Sequence, residues 1–143
     1  MMYKMLKKTI VCGALVIALA VPGVSALTVE EPTIEIENQI LDISGSVTDA
    51  KPYANVSVEV YYPDYGPGDI DITSEYYIAQ MKEAIFWMGQ VNLSRECTYE
   101  VNLDIKDAPP GEYLIRVSAK GSEKIGEMKI FYSSPEQQRG IID

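Results

Sequence analysis

The sequence predicts an all-β fold, an antiparallel sandwich of about seven strands, and three observations carry that prediction. Apolar and polar residues alternate with period two in short runs from Thr33 to Tyr132. Turn-forming residues separate the runs, among them Asn38-Gln39, Pro63 and Pro109-Pro110-Gly111. The outer faces of the runs are polar, whereas strands of a parallel sheet, covered on both sides, read as continuous apolar stretches.

The first run, Thr33-Ile34-Glu35-Ile36-Glu37, alternates cleanly up to Asn38-Gln39. Leu41, Ile43 and Val47 share one face of the next, in register with Gly45, where a strand glycine often marks a bulge. Asn55 to Tyr61 places Val56, Val58 and Val60 inward, and Pro63 ends it. Ile85 to Val91 supplies a further run. Thr98 to Ile105 sets Tyr99, Val101, Leu103 and Ile105 on one face, and Glu112 to Ala119 does the same with Tyr113, Ile115 and Val117. Glu127 to Tyr132 closes the series with Met128 and Ile130. Between Tyr62 and Ala84 lies a long insertion, in which Ser74 is the expected cap of a short helix with Tyr77, Ile78, Met81 and Ile85 along one face.

Residues 1–26 belong outside this domain. Lys4, Lys7 and Lys8 precede an apolar run from Ile10 to Val21, and Val24-Ser25-Ala26 offers small residues for cleavage, the three-part pattern of a secretory signal peptide. The run is shorter than the roughly 18 residues a spanning helix needs. An uncleaved anchor is the competing reading, against which Pro22 and Gly23 weigh. Cleavage after Ala26 takes the chain from 143 to 117 residues and its charge from −9 to −12. One domain then spans 27–132, followed by a polar tail over 133–143, and the expected location is extracellular or at the cell surface, with no membrane span after cleavage. Only Cys97 remains, so no internal disulfide forms.

Charge and composition narrow the function. With 12 Lys+Arg against 21 Asp+Glu, the chain lacks the basic footprint that nucleic-acid binding draws on. It contains no histidine, which removes Ser-His-Asp and Cys-His catalysis and imidazole-ligated zinc. No set of catalytic residues emerges, and the expectation is a protein that is not an enzyme.

The stretch Ala108-Pro109-Pro110-Gly111-Glu112-Tyr113-Leu114-Ile115-Arg116-Val117 resembles the corner before the F strand in fibronectin type III and bacterial immunoglobulin-like modules. Ile43-Ser44-Gly45-Ser46-Val47, Asn55 to Val60 and Met88-Gly89-Gln90-Val91 look like successive strands of such modules in exported surface proteins of Gram-positive, clostridial-type bacteria. The resemblance implies an immunoglobulin-like β-sandwich in which Tyr113 forms a tyrosine corner, its ring in the core and its hydroxyl bonded back to the backbone. It brings no catalytic residues with it. The implied role is binding, or spacing other parts of a surface assembly, with a protein or glycan at the cell surface as partner.

The insertion holds the candidate site. Tyr62, Tyr65, Tyr76, Tyr77 and Trp87 gather around it, and flat rings with one polar tip suit contact with protein or sugar. Consecutive strand residues point to opposite faces, so at least one of Tyr61 and Tyr62 should face outward. Asp64, Asp69, Asp71 and Glu75 lie beside Gly66 and Gly68 and offer the hard oxygens calcium takes, in no EF-hand spacing. The sequence leaves open a module that needs no cofactor, a calcium-assisted carbohydrate-binding module using these residues, and a helical plug protecting a sheet edge.

Overall fold

The computed structural model describes residues 27–133. Residues 1–26, where the sequence reading puts a signal peptide, and residues 134–143 of the tail lie outside them. Two antiparallel sheets pack face to face, as the alternation requires. The first contains β1 (Thr28–Val29), β2 (Thr33–Glu37), β3 (Ile40–Thr48) and β6 (Thr98–Asp104). The second has the order β5 (Ile85–Asn92), β4 (Asn55–Tyr61), β7 (Gly111–Ser118), β8 (Gly126–Tyr132). All seven expected strands are present. The additional β1, only two residues long, pairs Thr28 and Val29 with Thr48 and Val47.

In the first sheet β3 is the hub, with β2 and β6 along opposite edges. Asn38 and Gln39 both take positive φ, 53° and 65°, the backbone of a two-residue turn whose twist matches the strands it joins. Alternate residues of both sheets meet in one core: Leu41, Ile43 and Val47 of β3 face Val56, Val58 and Val60 of β4 and Ile115 and Val117 of β7, all nearly inaccessible. Burial of these aliphatic side chains contributes roughly 1.5–3 kcal/mol apiece and is the main force holding the sheets together.

Gly45 does not mark a bulge, because pairing between β3 and β6 runs unbroken from Ile40↔Asp104 to Ser46↔Thr98. It makes room for an aromatic ring instead. Tyr99 stands directly opposite, and a Cβ on Gly45 would lie 2.6 Å from the Tyr99 hydroxyl and 2.9 Å from Cζ. The bulge lies in the other sheet, where Val60 pairs with Trp87 but Tyr61 pairs with Ile85. Phe86 is the extra residue, and it packs edge-on against Tyr62 and Tyr113.

Tyr113 makes the corner expected of it. Its ring is buried on β7 and its hydroxyl donates to the carbonyl of Pro109. Burial pushes the hydroxyl pKa up to about 12, with the nearby Tyr62 and Tyr132 adding to the shift. Gly111 permits this turn: its φ is +142°, and a Cβ there would sit 2.6 Å from the Pro63 ring.

Candidate functional site

The insertion is tied at its base and folded on itself. Tyr62 N donates to Ala84 O at 2.8 Å, so its two ends lie together, as in compact Ω-type loops. A 3₁₀ turn, Pro67–Asp69, opens with the Asp69 carboxylate accepting from Gly66 N at 2.8 Å. Asp71 Oδ1 accepts from the backbone N and hydroxyl of Thr73, at 2.9 and 2.6 Å, and these bonds hold its pKa below the ordinary aspartate value. Gln80 Oε1 reaches back from the helix to Asp71 N at 2.7 Å.

The helix α1 runs Tyr77–Ala84 and passes directly into β5 through Ile85, which is already extended. Its residues Ala, Gln, Met, Lys and Glu are good helix formers. Ser74 is not its cap. The N-cap is Tyr76, and Ser74 Oγ accepts from Tyr76 N at 3.0 Å, closing the turn before the helix.

The insertion covers the outer face of the second sheet rather than a sheet edge. Tyr61 is the tyrosine of the pair that lies on this outer face, together with Glu59, yet it is only 2 % exposed. Pro67, Ile70, Ile72, Met81 and Ile85 enclose a groove of about 240 Å³ beside it, with Met88 and Arg116 completing the wall. A polar network anchors the floor: Tyr61 OH donates to Glu59 at 2.9 Å, and Arg116 contacts Glu59 at 3.5 Å and Glu127 at 2.7 Å. Desolvation first, then the bond to Glu59, raises the Tyr61 pKa to about 12.

This arrangement divides the expected binding residues. Tyr62 points inward, its ring 5.5 Å from Phe86 and 6.5 Å from Tyr113, and serves packing. Trp87 is half-buried with its ring laid over Gly89, where a Cβ would meet it at 2.9 Å. Tyr65 is half-buried and lines a small recess with Asp64, Glu112, Leu114 and Lys129. Tyr76 and Tyr77 remain accessible, Tyr76 at 65 %. The expected apolar stripe of α1 splits: Met81 and Ile85 face the groove while Tyr77 and Ile78 point to solvent.

Ile72, Ile78 and Met88 are exposed beside the accessible tyrosines; the sequence placed Ile78 only on the helix stripe and singled out neither Ile72 nor Met88 for the site. For Ile72 a signal was available, since it sits between Asp71 and Thr73 in a segment too polar to bury it.

The four carboxylates do not converge. Among the described residues no three carboxylate or cysteine side chains gather into a group that could hold a metal, so Asp64, Asp69, Asp71 and Glu75, singled out for the hard oxygens they offer, are not brought together. Two of them are already turned to the backbone, Asp69 toward Gly66 and Asp71 toward Thr73. Cys97, at the turn into β6, is half-buried and its thiol donates to the Ala50 carbonyl at 3.3 Å. Among the described residues no helix is long and apolar enough to cross a membrane.

No protein-family model matches the chain, and no curated protein matches it. Among solved structures it is similar to a catalytically inactive OgpA from Akkermansia muciniphila in complex with the O-glycopeptide glycodrosocin, at 12 % identity and a TM-score of 0.48, over 76 % of this chain and 29 % of that one. Wild-type OgpA gives 13 % identity and 0.42 over 77 % of this chain and 29 % of that one. Beta-glucosidase 3B from Thermotoga neapolitana in complex with glycerol gives 15 % and 0.35 over 74 % of this chain and 16 % of that one. The chain thus spans less than a third of the length of each. Similarity at this level carries no inference about activity or ligand.

Proposed function

We propose that this chain is an exported, non-enzymatic sandwich module that binds a protein partner through the outward surface of its insertion. The observation that carries the reading is the group Ile72, Tyr76, Tyr77 and Ile78, exposed on a segment that is internally hydrogen-bonded and seated on Tyr61. An ordered apolar surface of this kind costs less entropy to engage than a disordered loop would, and exposed apolar groups rimmed by polar ones suit protein contact. The segment is acidic: between positions 64 and 83 its charged residues are Asp64, Asp69, Asp71, Glu75 and Glu83 against Lys82. A partner segment with apolar anchors flanked by lysine or arginine matches it in both respects. The signal-peptide pattern and the resemblance to exported Gram-positive modules support the location, and the lack of histidine supports a role without catalysis.

Deleting the insertion would be a poor test, because it would uncover Tyr61 and the groove beside it. Changing Ile72, Tyr76 and Ile78 to serine alters only exposed side chains. The melting temperature should be retained while capture of cell-surface protein in a pull-down is lost. Capture at the unmodified level would place the partner surface elsewhere.

A further inference from the structure

A second concavity lies away from the insertion, on the flank where the two sheets are left open. Among the described residues strand β5 pairs only with β4, and β6 only with β3, so each leaves an edge unpaired there. A short turn joins them, held by Ser94 N to Thr98 O at 2.8 Å and by the Ser94 and Thr98 hydroxyls at 2.7 Å. Along this flank runs an open groove of about 660 Å³, within the range of ligand sites. Tyr99 and Gly45 form its floor, together with Val91. The absent Cβ of Gly45 is what lets the Tyr99 ring lie there.

The walls are short polar side chains: Ser44, Ser46, Asn92, Ser94, Thr98 and Glu100. Hydroxyls both donate and accept, and so does an amide, so such a wall matches a ligand whose own groups do both. Some of this capacity is spent within the chain. Asn92 Nδ2 donates to Tyr53 O at 3.1 Å and to Asn55 Oδ1 at 2.6 Å, which turns its carbonyl oxygen free for another partner. Ser44 and Ser46 hydroxyls have no partner among the described residues. No lysine or arginine lines the groove, which argues against phosphate or sulfate, and Glu100 is its single formal charge. The groove is open, which suits a chain lying across it more than an enclosed small molecule.

We infer that this groove binds a neutral polyhydroxylated chain, an oligosaccharide, independently of the insertion. The test is a titration of the full chain with cellohexaose, xylohexaose, chitohexaose and maltohexaose at millimolar concentration, followed by backbone amide NMR shifts. At least one probe should give saturable shifts at Ser44, Ser46, Asn92 and Thr98. Ser46→Trp, which fills the groove, should abolish them. The double variant Ser44→Ala/Ser46→Ala removes hydroxyls without adding bulk, and should weaken binding about tenfold; it decides the matter if Ser46→Trp does not fold. The serine changes at Ile72, Tyr76 and Ile78 should leave the titration unchanged, which separates this site from the protein surface proposed above. Absence of shifts with every probe, shifts centred on Tyr76 and Tyr77, or binding indifferent to the groove variants would overturn the inference.

Discussion

The hydroxyl of Tyr113 on β7 donates to the carbonyl of Pro109, four residues upstream, and pins the turn that carries the chain from one sheet to the other. The same ring touches Phe86 and Tyr62, so a single side chain ties this crossing to the bulge of β5 and the base of the insertion.

Removing only the hydroxyl separates those two contributions. Tyr113→Phe should cost about 1 kcal/mol through the lost bond to Pro109. Tyr113→Ala should cost about 3–5 kcal/mol by leaving a cavity beside Phe86 and Tyr62. Urea denaturation measures both, and equal, negligible losses would contradict the corner.

Gly45 and Tyr99 make a coupled pair. Gly45→Ala should destabilise by about 1–3 kcal/mol, since the new methyl meets the Tyr99 ring and hydroxyl at 2.6–3.1 Å. The Tyr99 hydroxyl is itself buried without a partner, and desolvation raises its pKa to about 12. Tyr99→Phe should therefore be neutral or stabilising, and should relieve part of the Gly45→Ala defect in a double-mutant cycle. Strictly additive losses would show that the two residues do not meet.

The outer face of the first sheet predicts a pH effect. Asp42 stands opposite Glu35 and Asn102, and Glu100 lies one diagonal step away. The charge of Asp42 first, and then its capacity to accept a hydrogen bond from a protonated Glu100 carboxyl, raises the Glu100 pKa. The folded state therefore holds this proton more tightly than the unfolded chain does. The resulting stability is complete below the ordinary glutamate pKa and is lost as pH rises through the raised value. Glu100→Gln should accordingly be more stable than the native chain at neutral pH, with the gap closing as pH falls toward the glutamate range. Denaturation curves across that interval measure it, and a gap independent of pH would show that the carboxyls do not interact.

The strands were legible because each carries its own alternation: Val56, Val58 and Val60 announce an inward face without knowledge of their partners. What was not legible depended on distant partners. Gly45 signals a special backbone position in the sequence, but only the pairing with Tyr99 explains its small size. Tyr62 and Trp87 could be read as exposed because the bulge at Phe86 and the glycine at 89, which draw them into packing, have no periodic signature. Asp64, Asp69, Asp71 and Glu75 are near in sequence, yet closeness along a loop does not set the direction of its side chains. Ser74 illustrates the limits of capping rules: it sits two residues too early and closes a turn. β1 escaped notice because two residues carry no period, although Val29 is fully buried.

Site-specific photocrosslinking distinguishes a partner held at the insertion from one held elsewhere on the sandwich. A photoreactive phenylalanine analogue is placed singly at Ile72, Tyr76 and Ile78, and as a control at Phe131, which is 68 % exposed on the far edge strand β8. Irradiation on the surface of the producing cells should give the same discrete adduct from the three insertion positions and none from Phe131. Adducts absent from the insertion, or formed equally at Phe131, would show that the insertion does not present the partner surface.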